Sequence, residues 1–183
     1  MHILRDALSE AGVAAPMTTT RIIGIGSPFG DDAVGLEVAA ALTASPPPDC
    51  EIIAADRPGV DLIQLLAGCD SVILIDAICS GGKPGTLREF TFEELEWSEA
   101  RFVSSHDLAL PTAIQLARKL GHLPSSGKVL AIEIEAAPPP QLAPLSAPAR
   151  QAVARAVEQV RAWVSESDHR GPGVAKTVHF IRA

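Results

Sequence analysis

Residues 21–35 read Arg21-Ile22-Ile23-Gly24-Ile25-Gly26-Ser27-Pro28-Phe29-Gly30-Asp31-Asp32-Ala33-Val34-Gly35. A short β-branched run, 21–25, passes into a glycine-rich turn. Val34, Leu36, Val38, Ala39 and Leu42 then follow on a helical stretch. A continuous apolar run of this kind marks a strand buried on both faces. The alternation recurs downstream. Residues 50–55 read as a second strand, and 60–66 carry an apolar helical stripe closed by Gly68. Residues 71–75 form a third, strongly apolar strand, 86–91 a strand suited to an edge, and 128–134 the last. Residues 108–120 read as a helix that tolerates Pro111 in its first turn. A final amphipathic helix, 148–164, places Val153, Val157, Val160 and Val164 on one face. Strands alternating with helices predict an α/β fold: a three-layer αβα sandwich whose mostly parallel, twisted sheet has about five strands, with helices on both faces.

The length of 183 residues suits one domain. Residues 1–20 read as a separate leader, interrupted by Pro16, and Met17 offers an alternative start four residues before the first strand. Residues 21–165 read as the single α/β domain, and 166–183 as a mobile tail in which 177–181 has a strand's composition. A net charge of −7, from 22 acidic against 15 basic residues, argues against a nucleic-acid or anionic-membrane surface. No apolar run approaches the roughly 20 residues of a bilayer span. Cys50, Cys69 and Cys79 form neither a CxxC pair nor a zinc-finger spacing, and an odd, sparse count suits a reducing compartment. The leader lacks a signal peptide's apolar stretch, so the expected location is the cytoplasm.

In parallel sheets, sites gather beyond the carboxyl ends of the strands. The first strand runs into Asp31-Asp32, the second ends at Asp56, and the third ends at Asp76. Ser104-Ser105-His106 leads into the helix near Asp107, so His106 joins the carboxylates if that helix starts at the same edge. Taken singly, most of these have ordinary readings. Asp31 or Asp32 caps a helix, Asp56 before Arg57-Pro58-Gly59 makes an Asx turn, and His106 bonds a helix start. Asp76 is harder to dismiss, because it closes the apolar run Val72-Ile73-Leu74-Ile75, where an unpaired charge is costly. Two carboxylates and an imidazole can ligate a borderline divalent ion such as nickel or zinc. Closely placed carboxylates can instead share a proton and act as acid and base. The residues alone leave both open.

Other chemistries fare poorly. The dinucleotide fingerprint fails, because Phe29 stands where the third glycine is due and Asp31-Asp32 places negative charge where a pyrophosphate would sit. The sequence has no Walker motif and no GxSxG elbow. The three thiols read as core or incidental.

Three blocks resemble the [NiFe]-hydrogenase maturation endopeptidases. They are residues 24–35 of the opening stretch, then Ile75-Asp76-Ala77 followed by Pro84-Gly85, then Ser104-Ser105-His106-Asp107-Leu108 with Leu110-Pro111 beyond. Asp56 with Gly59 is similar to the family's second-strand turn. The resemblance covers 21–164. It implies an endopeptidase that removes the C-terminal extension of a nickel-loaded hydrogenase large-subunit precursor. It also implies that Asp32, Asp76 and His106 contact the metal, and that Asp32, Asp56 and Asp76 serve catalysis. The nickel is then the substrate's own. No cofactor is permanently bound, although cadmium or zinc can stand in, and cleavage is aspartic-type or metal-assisted. The implied partner is the precursor, bound by a monomer. Asp32 stands where some members have Glu, and Ser27 replaces a frequent Asn. Two other readings remain: a nickel-checking chaperone that does not cut, and a nucleotide enzyme on a Rossmann-like sheet. The acidic Glu93-Glu94-Leu95-Glu96 reads either as a docking loop or as a solvated helix surface.

Overall fold

β1 (Thr20–Gly26) is the central strand because it is apolar on both faces, with Ile22, Ile23 and Ile25 sealed from solvent. The computed structural model describes residues 20–96, 109–135, 144–167 and 178–182. The expected leader, His106 and most of the tail lie outside these residues. β1 pairs in parallel with β2 (Cys50–Asp56) on one side and with β3 (Ser71–Ile78) on the other. β4 (Leu87–Thr91) runs antiparallel along β5 (Ser126–Glu133), which is itself parallel to β3. The sheet has one strand more than expected. β6 (Val178–Arg182), from the segment expected to be a mobile tail, adds in parallel to β2, giving the order β4-β5-β3-β1-β2-β6. Its pairing covers the N–H and C=O groups that β2 would otherwise leave open along an edge.

Alternation along each strand sends side chains to opposite layers. Ile22, Ile52, Ile73 and Ile75 pack with α1 (Val34–Ala44) and α5 (Ala147–Ser167). Ile23, Ile53 and Leu74 pack with α2 (Leu62–Leu66), α3 (Phe92–Glu96) and α4 (Leu110–Lys119). The three-layer αβα sandwich is therefore present. Pro111 stands in the first turn of α4, where its missing N–H costs nothing. The buried stripe of α5 includes Val160 and Val164 of the valine face expected but shifts toward alanines in its first turns. Ala149, Ala152, Ala156 and Val160 are sealed, while Val153 and Val157 sit half-buried at its margin. Small residues at the centre let α5 approach α1 closely.

The acidic segment is a capped helix. The Thr91 N–H donates to Glu94 Oε2 at 2.7 Å and the Glu94 N–H to Thr91 Oγ1 at 3.2 Å, a capping box. Phe92 and Leu95 are buried beneath it. Thr91 pairs with Lys128 near the start of β5, so α3 lies at the end of the sheet away from the strands' carboxyl ends.

The tightest contact in the fold is backbone on backbone. A Cβ on Gly24 would lie 2.0 Å from the Gly35 carbonyl oxygen, and one on Gly35 would lie 2.1 Å from that of Ile25 and 2.5 Å from that of Ile75. The first turn of α1 thus rests directly on β1 and β3. No side chain can give way at these contacts. Gly35→Ala is expected to destabilise the protein by about 3 kcal/mol or more, at or beyond the usual cost of overpacking. Urea unfolding of the variant checks this.

Candidate active site

The chain leaves β1 for β2 on one side, then crosses to β3 on the other. The order reverses here, and beyond the carboxyl ends of the strands at such a point is where parallel sheets bind ligands. The register that pairs Gly26 with Asp56 and Gly24 with Ile75 brings the ends of all three strands to one rim.

Asp32 stands at this rim on the 3-10 turn Gly30–Ala33, which follows β1. Its Oδ2 accepts the Ser27 N–H at 3.0 Å. A Cβ on Gly26 would lie 2.1 Å from the Asp32 carbonyl oxygen, so the turn folds back onto the strand end. An amide that a phosphate would need is thus held by the chain's own carboxylate, which counts against the nucleotide reading. Asp31 turns elsewhere. Its Oδ1 accepts the Ser146 N–H at 2.6 Å, and the Ser146 hydroxyl in turn accepts the Ala149 N–H, capping α5. Neither aspartate caps the helix that follows it.

Asp76 is 2% exposed and shares the sheet face of Leu74 and Ile78, toward α2 and α4. Its Oδ1 accepts the Ala77 N–H at 2.8 Å. Burial pushes its carboxyl well above the usual carboxylate range; the Ala77 N–H opposes that rise and the charge of Asp32 adds to it. The two aspartates therefore share one electrostatic environment.

Asp56 ends β2 at the same rim, but it makes an ion pair rather than the Asx turn expected. Arg57 donates from Nε to Oδ1 at 2.7 Å and from Nη2 to Oδ2 at 3.3 Å. The Arg57 N–H also donates to the Gly26 carbonyl at 3.0 Å. These bonds hold Arg57 at φ +46°, a left-handed conformation that costs a non-glycine residue about 1 kcal/mol. The hydrogen bond and charge of Asp56, with a smaller part from Asp32, hold the proton on this guanidinium more firmly.

α4 ends at Lys119 and β5 begins at Ser126, at the far end of the sheet, so α4 starts on the side of the carboxyl rim. His106 lies outside the described residues. Among those described, no three His, Cys, Asp or Glu side chains converge as a metal-binding group.

Sequence reasoning missed Glu133. It is 1% exposed at the end of β5 and accepts the Ser80 N–H at 2.7 Å, the Ser80 hydroxyl at 2.6 Å and the Gly82 N–H at 3.0 Å. Burial opposes its ionisation, yet the bonds from Ser80 and Gly82 and the charge of Arg88 outweigh that and keep its carboxyl below the usual range. It anchors the loop that leaves β3 just beyond Asp76. The signal was a glutamate inside Ile132-Glu133-Ile134, the pattern that singled out Asp76. A cleft of about 500 Å³ lies elsewhere, between Thr91, Glu93, Arg118 and the start of β5, and shares no residue with this rim.

Two outcomes are expected. Glu133→Ala leaves the loop's donors without their acceptor and costs about 1–3 kcal/mol by urea unfolding. Asp76 in the folded chain holds its proton to higher pH than in the unfolded chain. Its contribution is therefore full below the unfolded pKa of about 4 and is lost as pH rises toward the folded value. Asp76→Asn carries no such penalty. In chelator-treated protein it is expected to raise Tm at pH 7 by at least about 2 °C, the equivalent of ~1 kcal/mol in a domain of this size. The gain should vanish below about pH 4.

Comparison with known proteins agrees with this architecture. The hydrogenase maturation endopeptidase HybD of Escherichia coli is 27% identical, with a TM-score of 0.68 over 82% of this chain and 94% of that one. A hydrogenase 2 maturation peptidase from a Thaumarchaeota archaeon is 22% identical, with a TM-score of 0.57 over 80% and 98%. The [NiFe] hydrogenase maturation protease HybD of Thermococcus kodakarensis is also 22% identical, with a TM-score of 0.59 over 79% and 98%. The latter two likenesses bear on the fold alone. No curated protein matches in sequence at a significant level. The sequence profile of the hydrogenase maturation proteases (HycI) matches residues 36–163. A match running from the start of α1 through most of α5, and taking in Asp56, Asp76 and His106, makes this chain a member of the hydrogenase maturation protease family.

Proposed function

We propose that this protein is the endopeptidase that removes the C-terminal extension of a nickel-loaded [NiFe]-hydrogenase large-subunit precursor, with Asp32, Asp76 and His106 recognising the substrate's nickel. One observation carries the reading. The fold's switch point holds a half-buried carboxylate, Asp32, near a sealed one, Asp76, whose carboxyl burial pushes well above the usual carboxylate range. A divalent cation brought in by the substrate would take that proton's place, relieving the cost of the buried charge. Carboxylate oxygens with an imidazole are a donor set that nickel accepts.

Asp32 takes the proton of the attacking water. The water oxygen adds to the scissile carbonyl carbon, the C–N bond breaks, and the proton passes to the departing amine. Nickel beside the scissile bond polarises its carbonyl. Asp56 serves substrate handling from the same rim, by orienting Arg57. The metal check and the cut thus share one rim, so an empty precursor would not be processed. The reaction would run in the cytoplasm, on a monomeric enzyme without a resident cofactor.

The test is a cleavage assay on the cognate precursor with and without nickel, read by intact mass. Loss of a discrete C-terminal peptide is expected from the nickel-loaded form alone. Asp76→Asn and His106→Ala should each lower kcat/KM by about 100-fold or more while the circular dichroism spectrum is kept. Full activity in both variants would overturn the assignment of these residues. A stable complex with no mass change would make the protein a binding factor instead.

A further inference from the structure

We infer that Arg57 is a substrate-binding residue: its guanidinium, oriented by Asp56, holds a main-chain carbonyl oxygen of the substrate polypeptide at the rim. The inference rests on the endopeptidase reading and extends it to how the substrate chain is gripped.

Arg57 is placed with unusual care for an exposed side chain. Its backbone lies at φ +46°, where glycine would sit without strain. Its N–H is tied to Gly26 at the end of β1. Asp56 takes Nε and Nη2, which fixes the plane of the guanidinium. The side chain is nonetheless 46% exposed. Among the described residues, Nη1 has no hydrogen-bond partner. A turn built only to connect β2 to α2 has no need of this strain or of this charge. On the two adjoining turns, Phe29 after β1 is 43% exposed and Val60 after β2 is 66% exposed. The rim thus presents a fixed donor with apolar side chains on the two adjoining turns. That arrangement suits an extended peptide, whose carbonyls seek donors and whose side chains seek apolar contact.

Charge selects the occupant. The positive charge of Arg57 is already balanced by Asp56 at 2.7 Å, and Asp31, Asp32 and Asp61 lie on the same turns. A substrate carboxylate would face net negative charge there. A neutral carbonyl would not, and it still gains a charge-assisted bond.

The test compares wild type with Arg57→Gly and Arg57→Lys, using nickel-loaded precursor. Arg57→Gly removes the donor and relieves the backbone, so Tm should stay within about 2 °C of wild type. KM should rise about 10-fold, with kcat changed by less than about 3-fold. Arg57→Lys keeps a donor and should recover part of the loss. The Kd for the precursor, measured under conditions where nothing is cleaved, should weaken in step with KM. An unchanged KM and Kd in Arg57→Gly would overturn the inference. So would a fall in Tm that accounts for the loss. If wild type binds the precursor but does not cut it, the endopeptidase reading fails, while weaker binding by Arg57→Gly still supports the grip. If wild type neither binds nor cuts, both fail.

Discussion

The contact between Gly24 and Gly35 is the constraint on which the rest of the molecule depends. Three carbonyl oxygens, of Ile25, Gly35 and Ile75, occupy the space where side chains would begin. The first turn of α1 is thereby seated across β1 and β3 with no side-chain layer between. Gly26 extends the same tolerance one step further, letting the Asp32 backbone fold against the end of β1. A bulkier residue at any of these positions would lift the helix and move Asp32 with it. The glycines matter here because they bring backbone to backbone, not because they make the chain flexible.

Carboxylates at the rim above this contact divide among different tasks. Asp31 ties the glycine turn to the cap of α5, and Glu133 anchors the loop beyond β3. Both are satisfied by several donors or by a short backbone bond. Asp32 and Asp76 differ from them. Asp76 accepts the neighbouring Ala77 N–H, and burial raises its affinity for a proton. Glu133 is closed off by the loop it binds, and its several donors and the charge of Arg88 hold its carboxyl in the opposite direction. Deep burial at Asp76 against a cluster of donors at Glu133 separates a carboxylate poised to meet a cation from a structural one.

Much of the fold was legible because its signals are local. Apolar runs bounded by glycine and proline located the first five strands, and Pro111 and the 60–66 stripe located helices. Asp76 could be singled out by the same means, as a charge ending an apolar strand. Glu133 carries a similar signal, but it stands inside the strand read over 128–134 rather than at its end. The valine face assigned to α5 is right at Val160 and Val164 and off at Val153 and Val157. Helical spacing defines a stripe, but the approach of α1 decides that Ala149, Ala152 and Ala156 lie at the centre of its first turns.

The sequence by itself determined the strand–helix alternation, the carboxylates at three strand ends and the family, because periodicity, turn chemistry and motif order are properties of neighbours along the chain. Only the tertiary structure decided that Asp31 reaches α5 while Asp32 faces Ser27, since identical adjacent residues cannot be told apart without their surroundings. It likewise decided that Asp56 pairs with Arg57, and that β6 closes the edge beside β2. Each of these depends on which distant atoms arrive at hydrogen-bonding distance, and that is fixed by packing rather than by local sequence.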